Sequence, residues 1–240
     1  MSNDTQDKAG LVDFMPGLTR YPEPKWYLGL DLGQRHDHSA LAAIELIWIF
    51  RGICRVTYVH HYQPEAVIRS LTRFPLGTCY DELQKIVESR LDNLPPSKKE
   101  LIIDAGGPGP PVVDRLRKTL PGNVKILPVI ITGGKGINTL TGGYTGIPRR
   151  TLITTLLLAM GTGSLVCEEA TENFVKFEDE LVELRGDNTH PGTSRAHDDL
   201  VMAVSLALSS ATRDVPDLLP QPPGGEKKRS KFGYSDKPLF

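Results

Sequence analysis

The chain has 240 residues, 39% of them hydrophobic and 24% charged, with 28 Lys and Arg against 29 Asp and Glu. That length suits one large domain or two small ones, and no apolar run approaches the roughly 18 residues that cross a bilayer, so an integral membrane protein is excluded. A net charge of -1 excludes binding to polyanions by bulk attraction, so any such contact must come from local patches or through bound metal.

The first two dozen residues, with Pro16, Pro22 and Pro24, are polar and proline-punctuated, and residues 1–25 read as an extended arm. They lack the basic start and apolar stretch of a secretory signal, which predicts a cytoplasmic protein. Cys54, Cys79 and Cys167 are scattered and odd in number, and read as buried free thiols in keeping with that compartment. Trp26 to Leu32 reads as a buried strand. Ala40 to Phe50 and Cys54 to Tyr62 follow as two further strands joined at Arg51-Gly52, giving an antiparallel meander. Leu83, Ile86, Val87, Leu91 and Leu94 have a helical period that Pro95-Pro96 ends. Glu100 to Ala105 is a short strand, Pro111 to Leu120 a helix, and Val124 to Ile131 another strand. The order is therefore βββαβαβ, an α/β chain with a mixed five-stranded sheet. A glycine-rich stretch from Gly133 to Gly146 precedes a helix opened by Pro148, a further helix covers Thr171 to Leu184, and an apolar helix runs from His197 to Ser210. These elements define a domain over 26–212, and residues 213–240 read as a Pro/Gly-rich basic tail.

Three acids stand out. Asp31 ends the first strand in Leu28-Gly29-Leu30-Asp31, and Asp104 ends the fourth in Leu101-Ile102-Ile103-Asp104. If those strands are neighbours, as a right-handed crossover demands, the two carboxylates stand about 5 Å apart. Such anions repel unless a cation lies between them. The third contribution is Asp198-Asp199, opening the last helix. Asp199 shares a face with Ala203 and Ala207, small enough to let that face lie close to the sheet, so Asp199 is the closer ligand and Asp198 a second one. Converging carboxylates suit Mg²⁺ or Mn²⁺, and two such ions could activate a water and stabilise the leaving oxygen of a phosphodiester. Taken singly, each acid could instead be a helix cap or a turn former.

Gly29-Leu30-Asp31-Leu32-Gly33, Ile102-Ile103-Asp104-Ala105-Gly106-Gly107 and His197-Asp198-Asp199-Leu200-Val201-Met202-Ala203 together resemble the nuclease domain of phage terminase large subunits, over about Trp26 to Ser210. The resemblance implies a ribonuclease H-like fold with strand order 3-2-1-4-5. It also implies an endonuclease that cuts concatemeric viral DNA with metal held at Asp31, Asp104, Asp198 and Asp199. Terminase large subunits also carry an ATPase, and the GxxxxGK[ST] signature is absent here because Gly136 follows Lys135. The resemblance therefore implies double-stranded DNA as substrate, with a separate packaging ATPase, a small terminase subunit or a portal as partners, in the host cytoplasm if phage-encoded. A junction resolvase would share the fold and the acids. An actin- or sugar-kinase-like nucleotide-binding domain is the rival from another class, and a nonenzymatic DNA-binding module a third.

Lys135, Arg149, Arg150 and Arg195 fall in loops or helix starts that could contact phosphate, as could His197 beside the acids, while Lys227-Lys228-Arg229 is the one dense basic cluster. His36 and His38 read as a solvated turn, and alternation sends His60 and His61 to opposite faces of a strand.

Overall fold

The computed structural model describes residues 23–33, 37–56, 58–107, 109–167, 170–186 and 198–219. The arm before residue 23, the tail from residue 220 with Lys227, Lys228 and Arg229, and His36, Arg195 and His197 lie outside the described residues.

Three antiparallel strands come first: β1 (Lys25–Asp31), β2 (Ala40–Ile53) and β3 (His60–Arg73). Then α1 (Tyr80–Asn93), β4 (Lys98–Asp104), α2 (Gly109–Thr119) and β5 (Val124–Thr132) build two parallel crossovers. The remainder is β6 (Asn138–Thr139), β7 (Thr145–Pro148), α3 (Arg149–Gly161), β8 (Leu165–Cys167), α4 (Phe174–Gly186) and α5 (Asp199–Asp214). All eight strands form one sheet in the order β6-β7-β5-β4-β1-β2-β3-β8.

The central five strands have the expected order 3-2-1-4-5, antiparallel across β3-β2-β1 and parallel across β1-β4-β5, which is the ribonuclease H-like arrangement. The sheet is wider than the predicted five strands. The additions β6, β7 and β8 are two, four and three residues long, too short for period-two alternation to register in the sequence.

The third strand is also displaced from its predicted place. Arg51-Gly52 is no turn: Gly52 has φ +144° at a register shift in β2, and the hairpin closes instead at Cys54, whose N–H donates to the Val59 carbonyl. β3 therefore runs to Arg73, and its C-terminal end lies beside the start of β2, with Ala40 opposite Arg73.

Side chains alternate across the sheet into two cores. Leu28, Leu30, Leu101 and Ile103 pack under α1 and α2 with Leu83, Val87, Val113 and Leu116. On the other face Tyr27, Ile44, Ile68 and Ile102 meet α5, where Leu200 to Leu208 are buried almost without interruption. An all-round apolar helix is one enclosed on every side, and α3 and α4 both pack against α5.

The last helix extends past the expected end of the domain at 212. Arg213 donates to the Glu100 carboxylate at 3.1 Å, Asp214 pairs with Lys25 and accepts the Tyr27 hydroxyl at 3.0 Å, and Leu218 just beyond is buried. Apolar pattern fades there, and partly exposed ion pairs replace it. The cysteines are free but not buried as expected: Cys79 is exposed, and Cys54 and Cys167 are half-buried.

Candidate metal centre

β1 and β4 are parallel neighbours, with Leu30 opposite Ile103, so Asp31 and Asp104 occupy the next step of the same register. Both carboxylates stand at the C-terminal ends of strands at the point where the sheet changes from antiparallel to parallel, the usual place for a ligand in an open α/β sheet. Loss of hydration raises the Asp31 pKa well above the ordinary carboxylate range, repulsion by Asp104 and Asp199 raises it further, and Arg149 offsets only part of this. Asp104 is also raised by burial, and the backbone N–H groups of Gly106, at 2.9 Å, and Ile131 work against that shift by donating to it.

Gly29 explains how the third acid arrives. A Cβ built there would overlap the Ala203 carbonyl oxygen and come within 2.8 Å of the Ala207 nitrogen, so the backbone of α5 rests directly on β1. This contact uses the alanine face expected from sequence, and it carries the first residue of α5, Asp199, to the strand ends. Asp199 is buried and its Oδ2 accepts from Arg73 Nη2 at 3.1 Å. Asp198 precedes the helix as its N-cap residue, yet its side chain makes no capping hydrogen bond and pairs with Arg149 instead.

The cap is supplied from another helix. Glu180 of α4, 4% exposed, accepts the Val201 N–H at 3.0 Å and also the Leu200 N–H, satisfying two amides that α5 leaves open. Its other oxygen has no hydrogen bond and faces Arg73 Nη1 at 4.0 Å. Burial pushes the Glu180 pKa up to about 7, its backbone hydrogen bonds pull it down, and Asp199 pushes it up again.

Sequence reasoning missed both Arg73 and Glu180. Arg73 was hidden by the misplaced third strand, although Ala66, Ile68 and Leu71 carry the apolar pattern of β3. Glu180 is one of several acids on α4, and only the burial of Phe177 and Leu181 around it marks its face as inward.

The structure thus gathers five carboxylates, Asp31, Asp104, Glu180, Asp198 and Asp199, around two guanidinium groups, Arg73 and Arg149. Among the described residues no three His, Cys, Asp or Glu side chains are grouped so that they could hold a metal ion, and Asp199 and Asp198 are paired with Arg73 and Arg149. The donor set is all oxygen and carries excess negative charge, which fits Mg²⁺ or Mn²⁺ and not a thiophilic ion.

Of the expected phosphate contacts, Lys135 is exposed in the loop after β5, and Arg149 and Arg150 open α3 at the end of β7, all at the acid end of the sheet. His38 bonds the Phe74 carbonyl through its ring Nδ1 at 2.7 Å, in line with a structural turn. His60 and His61 begin β3, far along the hairpin from the acids.

No family model and no curated protein matches the chain. Among solved structures it is similar to the large terminase nuclease from thermophilic phage G20c, at 18% identity and a TM-score of 0.47, covering 79% of this chain and 84% of that one. It is also similar to the human cytomegalovirus terminase nuclease domain, Mn soaked and inhibitor bound, at 14% identity and a TM-score of 0.45, covering 80% and 84%. The large terminase nuclease domain of bacteriophage SPP1 with bound Mn gives 12% identity and a TM-score of 0.43, covering 80% and 88%.

Proposed function

We propose that the chain is a divalent-metal-dependent endonuclease that hydrolyses DNA phosphodiester bonds, with Asp31, Asp104 and Asp199 as metal ligands and Asp198 as an additional one. The observation that carries this is the Asp31 carboxylate, half-buried at a strand end in the field of Asp104 and Asp199 with only Arg149 in partial compensation. A purely structural position would not retain that repulsion, which costs stability unless a cation relieves it.

Mg²⁺ or Mn²⁺, as one ion or a pair, would supply an activated water and stabilise the leaving oxygen when bound. The protein's own part is to present oxygen donors from rigid elements. Asp31 and Asp104 are fixed by the register of β1 and β4, and Asp199 by the contact of α5 on Gly29. Arg73 and Arg149 pair with Asp199 and Asp198, and ligation of a metal by either acid would displace its arginine. Double-stranded DNA as substrate, with a separate packaging ATPase, small subunit or portal as partners, follows from the motif resemblance to terminase nuclease domains.

The test is plasmid cleavage. Wild-type protein with Mn²⁺ or Mg²⁺ is expected to nick or linearise supercoiled DNA. Asp31→Asn and Asp104→Asn should each lower the rate by about two orders of magnitude or more, as loss of a group acting at the reacting centre does, with an unchanged circular dichroism spectrum. Cleavage by either variant at the wild-type rate would refute the assignment.

A further inference from the structure

Charge is segregated along this chain to a degree its near-zero total conceals. Residues 115–167 contain seven Lys and Arg and no Asp or Glu, whereas residues 168–183 contain seven acids and a single Lys. The uncharged end of the first stretch, residues 151–167, reaches β8 at the far edge of the sheet, but the cations Lys125, Lys135, Arg149 and Arg150 all lie on the β5–β7 side of the candidate centre, opposite the acidic stretch. The acid-free stretch supplies β5, β7 and β6, which continue the sheet outward from β4, and Asp104 lies opposite Val129 of β5. The acidic stretch supplies most of α4, which packs against α5 and reaches its start through Glu180.

Within the acid-free stretch several cations are already engaged: Arg115 of α2 with Asp81, Lys125 with Glu100 and Arg149 with Asp198. Lys135 and Arg150 are exposed and have no acidic partner among the described residues. They also leave the sheet side by side. Thr132 ends β5 opposite Pro148 of β7, with Lys135 three residues beyond the one and Arg150 two beyond the other. On the opposite flank Glu172, Glu178, Asp179 and Glu183 are all exposed, and Lys176 is the one cation between Glu172 and Glu183. A polyanion near the centre therefore meets attraction on one side and repulsion on the other.

We propose that duplex DNA reaches the acid centre from one side only, across the β5–β7–β6 wing, with its phosphates on Lys135 and Arg150, and that the exposed acids of α4 keep it off the opposite flank. Duplex DNA is the occupant that fits, because a neutral chain holds a regular polyanion only through a local excess of cations such as this wing provides. The proposal rests on the nuclease reading for the destination of the DNA, but not for the charge of its path.

The experiment is a salt titration of full-chain binding to a labelled duplex of roughly 30 base pairs, followed by fluorescence anisotropy with EDTA present so that no cutting intervenes. Each phosphate contact contributes about 0.9 to the slope of log K against log salt. Lys135→Gln/Arg150→Gln should therefore flatten the slope by about 2 and weaken binding about tenfold at low salt. Glu178→Gln/Asp179→Asn/Glu183→Gln should tighten binding about threefold. Wild-type protein that does not bind the duplex, an unmoved slope in the first variant, or no tightening in the second would overturn the one-sided path. Loss of polyglutamate binding with DNA binding intact would assign the wing to an acidic protein and overturn it equally. Cleavage measured in parallel separates the two readings: a flattened slope without any cutting leaves the path standing and removes the nuclease, and cutting with an unmoved slope does the reverse.

Discussion

Glu180 supplies α5 with the cap that neither Asp198 nor Asp199 provides, since both of those acids face arginines. Glu180→Ala is expected to cost about 1–3 kcal/mol, the range for a buried hydrogen-bonded charge whose partners are left open. Glu180→Gln keeps an acceptor and should cost less. Urea denaturation of the three proteins checks this, and an equal loss in both variants would mean that the charge facing Arg73 matters and the cap does not. The positions of Asp31, Asp104 and Asp199 were readable from sequence because each is an acid set against an apolar run, where a carboxylate is costly. Arg73 and Glu180 were not readable, because Arg73 ends a strand whose turn was misplaced, Glu180 is one of several acids on its helix, and the meaning of both lies in contacts more than twenty residues away in sequence.

At the level of elements, α5 lies directly on β1 at Gly29. Gly29→Ala forces a methyl group into the helix backbone, which has no rotamer to yield, so a loss of about 3 kcal/mol or more is expected by thermal or chemical unfolding. A loss below 1 kcal/mol would mean that α5 can lift off the sheet without penalty. The same contact shows why the βββαβαβ core was legible: its strands and crossover helices are long and their periods unmixed. The hairpin was misjudged for a local reason. Arg51-Gly52 has the composition of a turn but sits in a strand pair whose twist absorbs one extra residue, while the true turn at Cys54 to Val59 holds no glycine or proline and places Tyr58 at φ +55°.

For the molecule as a whole, the clustered acids set a pH dependence with a definite sign. Asp31, Asp104 and Glu180 have folded pKa values raised above their ordinary ones, so their favourable contribution is complete below about pH 4, near the unfolded values, and is lost as pH rises through the folded values, about 7 for Glu180. Asp214 acts in the opposite sense. Burial would raise it, but its bond to Lys25 prevails and lowers it, so its contribution is present at neutral pH and lost on acidification below the ordinary carboxylate range. Metal-free protein should therefore lose melting temperature between about pH 5 and about pH 8, and Mn²⁺ should restore more of it at the upper value than at the lower. Differential scanning fluorimetry with and without the ion reads both effects, and a pH-independent gain from Mn²⁺ would place the ion away from these groups.

Anomalous scattering from a crystal soaked in Mn²⁺ addresses the centre most directly. The account predicts a peak coordinated by Asp31, Asp104 and Asp199, with the Arg73 guanidinium displaced from Asp199. A soaked crystal with Arg73 still on Asp199 and no manganese between the β1 and β4 strand ends would contradict it.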